Sequence, residues 1–139
     1  MPLLKALPDL RRVGIFSLDI ETKDEGIAAD RGSAWPWRGG FICGISIAWP
    51  EGNALNSGYI PIAHPNSECF AHANVAAWLR DLFASDATAI LHNASYDLGW
   101  ICTEFGIPFP SPDRLHDTCA IAAAVDENQR TLRLGDLCR

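Results

Sequence analysis

At 139 residues, with 48% hydrophobic and 20% charged content, the chain has the length and make-up of one globular domain able to bury a core. Its formal net charge of -6, from 17 acidic and 11 basic residues, argues against a broad electrostatic grip on duplex DNA but leaves room for acids gathered around metal ions. No apolar run is long enough to span a bilayer, and the N-terminus lacks the basic start and apolar block of a secretory signal.

Residues 1–12 form a lead-in carrying Pro2, Pro8 and the basic pair Arg11 and Arg12. An apolar run over 13–22 follows and is expected to be a strand. Period-two alternation then puts Val13, Ile15, Ser17, Asp19 and Glu21 on one face and Phe16, Leu18 and Ile20 on the other. Two carboxylates at the end of an apolar strand are costly without a positive partner. Hard divalent cations, which take oxygen ligands, suit such a pair.

Residues 23–40 read as a long irregular loop holding Trp35, Pro36 and Trp37. Loops of this length are usually functional or disordered. Here the tryptophans favour packing onto the domain itself over stacking on a base. Strands are expected at 41–49 and 59–63, with a turn at 50–53 and with Pro61 placing the third strand at an edge. Val75, Trp78, Leu79, Leu82 and Phe83 recur at helical spacing. The short apolar stretch 88–92 suits a buried parallel strand. A helix from about 95 to 105 is stopped by Gly106 and Pro108. Residues 116–124 begin as a fifth strand and turn helical within their alanine run, and Thr131 is the candidate cap of a last helix. The order predicts an α/β domain with a mixed five-stranded sheet, an antiparallel meander followed by parallel crossovers, and helices on the faces. The five cysteines are odd in number, widely spaced and without a CxxC pair, so zinc and a disulfide framework are disfavoured. A reducing, intracellular compartment is expected.

A second group of polar residues spans 92–97, where the fourth strand hands over to its helix. Such junctions are where α/β sheets keep ligands. Asn93 falls on the strand exit and Asp97 in the first helical turn, where free amides favour a carboxylate. If the first and fourth strands are parallel neighbours, Asp19, Glu21 and Asp97 converge at one rim of the sheet. Three such acids without an arginine nearby point to a cation site.

Three stretches together resemble the DEDD (DnaQ-like) 3′–5′ exonucleases, which have an RNase H-like fold, and most closely the proofreading domains of family A, including phage, DNA polymerases. Phe16-Ser-Leu-Asp19-Ile-Glu21-Thr22 resembles the first exonuclease motif. Asn93-Ala-Ser-Tyr96-Asp97 resembles the second. His116-Asp117-Thr118, with Asp126-Glu-Asn and Thr131-Leu-x-Leu-x-x-Leu137 after it, resembles the region beyond. The third motif, Tyr-x-x-x-Asp or His-x-x-x-x-Asp, is missing: no tyrosine follows Tyr96. Residues 1–139 are therefore expected to be one exonuclease-like domain lacking the C-terminal helices that carry that motif.

The resemblance implies hydrolysis of the 3′ end of single-stranded DNA with two divalent cations, Mg2+ or Mn2+, beside a polymerase domain of a parent protein, in a bacterial or phage-infected cell. It implies that Asp19 bridges the ions, with Glu21 and Asp97 each holding one. Thr22 and Asn93 would touch the terminal nucleotide, with Ile27 as the apolar wedge under its base. Tyr96 would pack to fix the helix, and Asp117 would support the site from behind. His64, His72 and His92 receive no role. Two other readings stay open: an inactive RNase H-like module binding nucleic-acid ends or a protein partner, and an RNase D-like exonuclease acting on RNA, since the shared motifs do not separate the two sugars.

Overall fold

The computed structural model describes residues 1–32, 35–65 and 67–138. Two residues of the long 23–40 segment, 33 and 34, and the C-terminal Arg139 lie outside the described residues.

Nine residues of alternating burial make the first strand, β1 (Ile15–Lys23). Phe16, Leu18 and Ile20 face inward, while Ile15, Ser17, Asp19 and Glu21 are exposed, as the period-two pattern requires. β1 pairs antiparallel with β2 (Phe41–Glu51), which pairs antiparallel with β3 (Ala54–Pro61). The hairpin between them turns on Gly52 and Asn53 alone. Gly52 takes φ +60, a conformation that glycine adopts without steric cost. Both flanking strands are therefore longer than the residue pattern suggested, and Pro50 is in the ladder, opposite Leu55.

The segment between β1 and β2 holds a short helix, α1 (Glu25–Ala28), and after β3 the chain crosses over through a longer one, α2 (His72–Phe83). Strand β4 (Thr88–Leu91) adds parallel to β1, and after α3 (Ala94–Phe105) strand β5 (Leu115–Asp117) adds parallel to β4. The sheet order is β3-β2-β1-β4-β5, with β1 in the centre. This is the mixed five-stranded sheet the sequence predicts, and Pro61 does lie on an edge strand. Helix α4 (Thr118–Val125) begins earlier than the alanine run implied, because Asp117 accepts the amide of Cys119 and starts it. α5 (Leu134–Leu137) closes the described chain, and its N-cap position is Arg133 rather than Thr131. Thr131 instead accepts from the Arg133 amide and donates to Asp136.

One apolar cluster holds the fold together. Val75, Leu79, Leu82 and Phe83 of α2 and Leu98, Ile101 and Phe105 of α3 meet Phe16, Leu18, Ile20, Ile45, Ile47 and Ile60 of the sheet. The lead-in belongs to the structure as well: Leu10 is buried and Trp78 Nε1 donates to the Pro8 carbonyl at 2.7 Å. The long loop is not irregular throughout. Asp24 accepts the amides of Gly26 and Ile27 and caps α1, and a 3-10 turn runs over Pro36–Arg38. Trp35 stacks on Trp100 of α3 at 5.4 Å, with Trp37 stacked outside it at 5.6 Å. Packing on the domain is thus the fate of Trp35, whereas Trp37 stays 65% exposed. Among the described residues no helix is long and apolar enough to cross a membrane.

Leu79 is fully buried at the centre of this cluster. Leu79→Ala is expected to lower the unfolding free energy by about 3 kcal/mol, read from urea melts, through lost transfer energy and an unfilled cavity.

Candidate active site

The site forms where β1 outruns its parallel neighbour. Pairing between β1 and β4 stops at Ser17 and Ile90, yet β1 continues to Lys23. Beyond that point the β4 side of β1 has no strand partner, and the amide of Ile20 needs an acceptor. Asp97, in the first turn of α3, supplies it: its Oδ1 accepts from Ile20 N at 3.1 Å. The side chain therefore lies in the sheet's own edge, 4% exposed. Its pKa is pushed up to about 6, first by desolvation and further by the charges of Asp19 and Asp117, against the lowering effect of the Ile20 amide.

Asp19 and Glu21 project from the exposed face of β1. Desolvation raises the Asp19 pKa, Glu21's charge adds to this, and His92 partly offsets it. Among the described residues, none of Asp19, Glu21 and Asp97 is paired with a lysine or arginine. The acids thus share a field that a cation would relieve, and the donor set is all oxygen, which fits a hard divalent ion. They do not close on a single point, however: among the described residues no three His, Cys, Asp or Glu side chains are grouped to hold one ion. Asp97 turns toward the Ile20 amide while the β1 pair lies on the exposed face, and Asp19 and Asp97 are near enough for the charge of one to act on the other.

Asp97 also does not cap α3 in the way its first-turn position suggested. Asp117 takes that work, accepting from Asn93 N at 2.9 Å and Ala94 N at 3.0 Å, besides Cys119 N at 2.9 Å. Partial burial alone would raise Asp117, but these amides outweigh it and hold the pKa below the usual carboxylate value. Asn93 occupies the left-handed region at φ 63, ψ 52, which asparagine tolerates, and its Oδ1 accepts from Ser95. Tyr96 packs against Trp35 and Trp100, and its hydroxyl meets Thr22 Oγ1 at 3.2 Å. Ile27 sits on α1, 53% exposed. His92 is held by Thr118 Oγ1 at 2.9 Å and donates from Nε2 to the Leu132 carbonyl at 2.7 Å, and His72 stacks on Phe105.

Two open clefts flank the acids. One of about 350 Å³ beside Asp19 is lined by Ser17, Ser46, Ala48, Ile90, His92 and Thr118. The other, about 440 Å³, is bounded by Thr22, Lys23, Phe41, Cys43 and His64. Either has the volume of an ordinary small-ligand site. Two neighbours of Glu21 went unread in the sequence: Tyr59 donates from its hydroxyl to Glu21 Oε2 at 3.2 Å, and His64 Nε2 meets that hydroxyl at 2.8 Å. The signal lay in the two-residue hairpin turn, whose register brings Tyr59 opposite Ser46 and so level with Asp19.

A mixed sheet with unneutralised carboxylates at the carboxyl end of its central strand defines an α/β protein of the RNase H-like class. The family model for the exonuclease domain of family A DNA polymerases, described as 3′–5′ exonuclease, matches residues 3–139, so the chain belongs to this exonuclease family. A search of curated protein sequences returns no match.

The raised pKa of Asp97 carries a pH signature. Its folded value of about 6 exceeds the ordinary 3.8, so the folded state binds the proton more tightly. The stability this proton contributes is complete below about pH 4 and is lost as the pH rises through about 6. In metal-free buffer, Asp97→Asn should gain on the parent protein between these limits. Urea melts are expected to favour the variant at pH 7, relative to pH 4, by on the order of 2 kcal/mol. An equal difference at the two pH values would show that the carboxylate is not desolvated.

Proposed function

We propose that this exonuclease removes nucleotides from the 3′ end of single-stranded DNA as the proofreading part of a DNA polymerase, with Asp19, Glu21 and Asp97 as its metal-holding acids. The observation that carries this reading is the uncompensated charge around Asp19: Glu21 follows on the same exposed face of β1, and Asp97 lies close enough to raise its own pKa through Asp19. Two divalent cations, Mg2+ or Mn2+, would supply Lewis-acid stabilisation of the entering and leaving oxygens when bound.

The chain's own residues prepare that chemistry. Desolvation around Asp97 strengthens every charge interaction it makes. The Ile20 amide fixes the Oδ1 oxygen of Asp97. Asp117 anchors the start of α3 through the Asn93 and Ala94 amides, so Asp97 is carried on a rigid first turn. Thr22, next to Glu21 on β1, and Asn93, at the start of α3, would contact the terminal nucleotide, and Ile27 would offer an exposed apolar surface for its base. Asp117 and Tyr96 act from behind, holding backbone and hydroxyl groups in place.

The third exonuclease motif is absent from residues 1–139. A helix bearing Tyr-x-x-x-Asp, appended after Arg139, is expected to strengthen hydrolysis over that of residues 1–139 alone. The test is a 5′-labelled single-stranded DNA oligonucleotide, incubated with Mg2+ or Mn2+ and either form of the protein. The extended protein is expected to give a ladder shortening from the 3′ end, and Asp19→Ala to slow it on the order of 10²–10³-fold, the scale of losing a main electrostatic stabiliser. No shortening by the extended protein with either metal would overturn the proposal. An RNA oligonucleotide degraded in preference to DNA would move the substrate to RNA.

A further inference from the structure

The contacts of Glu21 reach beyond the three acids. Asp19, Ser46 and Tyr59 are cross-strand neighbours over β1, β2 and β3, and such neighbours project from one face. Glu21 lies two residues along β1, opposite Gly44. The Tyr59 ring crosses β2 diagonally to reach it, and the crossing is open only because residue 44 has no side chain: a Cβ there would overlap the Tyr59 Oη and Cζ. Tyr59 as a residue is buried, 8% exposed. The one phenol proton goes to Glu21 Oε2, so the contact with His64 is made by a ring N–H donating to the phenol oxygen. The bonds run in one direction, from His64 through Tyr59 to Glu21.

Each member of this chain is held independently. The Tyr59 amide donates to the Pro2 carbonyl and its carbonyl accepts from Leu4 N, both at 2.9 Å, so the lead-in fixes the strand from its open edge. The turn after β3 is closed by the amides of Ile62 and Ala63, which both donate to the Cys43 carbonyl. Cys69 Sγ accepts from the His64 amide at 3.3 Å. Glu21 itself, on an exposed face and among like charges, would otherwise be free to rotate about its side-chain bonds.

We infer that Tyr59 and His64 are positioning residues for Glu21, tying down its Oε2 so that Oε1 is presented to a divalent cation. This rests on the reading of Glu21 as a metal-holding acid. Neither residue touches reacting atoms; both act through the glutamate, as outer partners of metal ligands commonly do.

Mn2+ titration by calorimetry, with thermal melts in parallel, tests it on the 139-residue protein. Tyr59→Phe keeps the ring and removes the donor. It is expected to weaken Mn2+ binding about 10- to 100-fold with the metal-free Tm essentially unchanged. His64→Gln should weaken binding less, in the same direction. Gly44→Ala, which keeps the hydroxyl but takes its space, should also lose affinity. Asp19→Ala serves as the control for the site and should abolish the heat. Binding lost in Asp19→Ala but unaltered in Tyr59→Phe would overturn the positioning role and leave the metal reading standing. A parent protein that takes up no Mn2+ would overturn both.

Discussion

A single hydrogen bond, from the Ile20 amide to Asp97, ties the central strand to the first turn of α3. It exists because β1 is longer than β4, and a parallel ladder that stops early leaves an amide without an acceptor. Placing a carboxylate there satisfies the amide and draws an acid into the plane of the sheet. A neutral acceptor would have met the backbone's need at lower electrostatic cost, since one amide does not offset the desolvation of a charged group. The acid is therefore poorly served by its surroundings, and its elevated pKa measures how poorly.

Asp97 and Asp117 both belong to the region where β4 and β5 give way to helices, and the charge of Asp117 contributes to the raised pKa of Asp97. Asp117 receives three backbone amides, its pKa falls, and the charge is consumed in starting α3 and α4. Asp97 receives the Ile20 amide, is more deeply buried, and its pKa rises. One carboxylate is stabilised as an anion by the fold; the other is destabilised as one by its desolvation. The amides at the start of α3 thus go to Asp117 rather than to Asp97.

Much of this was legible in the residues. The alternation in β1 fixed which side chains were inside, the stripe from Val75 to Phe83 gave α2, and Pro61 marked an edge, because each depends on local periodicity or covalent chemistry alone. The cap at Asp24, the start of α4 and the anchored lead-in were less accessible, since each depends on which backbone group happens to lack a partner after folding. The bulge between Glu21 and Thr22 was invisible for the same reason. Resemblance to the exonucleases drew attention to Asp19, Glu21 and Asp97, but it carried no information on how their side chains turn. The Tyr59 contact needed the register of three strands at once, and a hairpin turn misplaced by one residue would have reversed the faces.

That dependence on register explains why Gly44 matters more than its lack of chemistry suggests. Across an antiparallel sheet a side chain normally meets its direct neighbour, and a diagonal reach past the intervening strand is blocked by that strand's own side chain. Removing the blocking group at residue 44 lets a long aromatic side chain from the edge strand touch the central one. The central strand then needs no polar partner on its immediate neighbours, which remain Gly44 and Ser46, small enough to leave the acid face open. Solvent and ligand access to Asp19 and restraint of Glu21 are competing demands on one face. They are reconciled by sending the restraint in from the edge, under a ring that occupies the space where a side chain on Gly44 would have been.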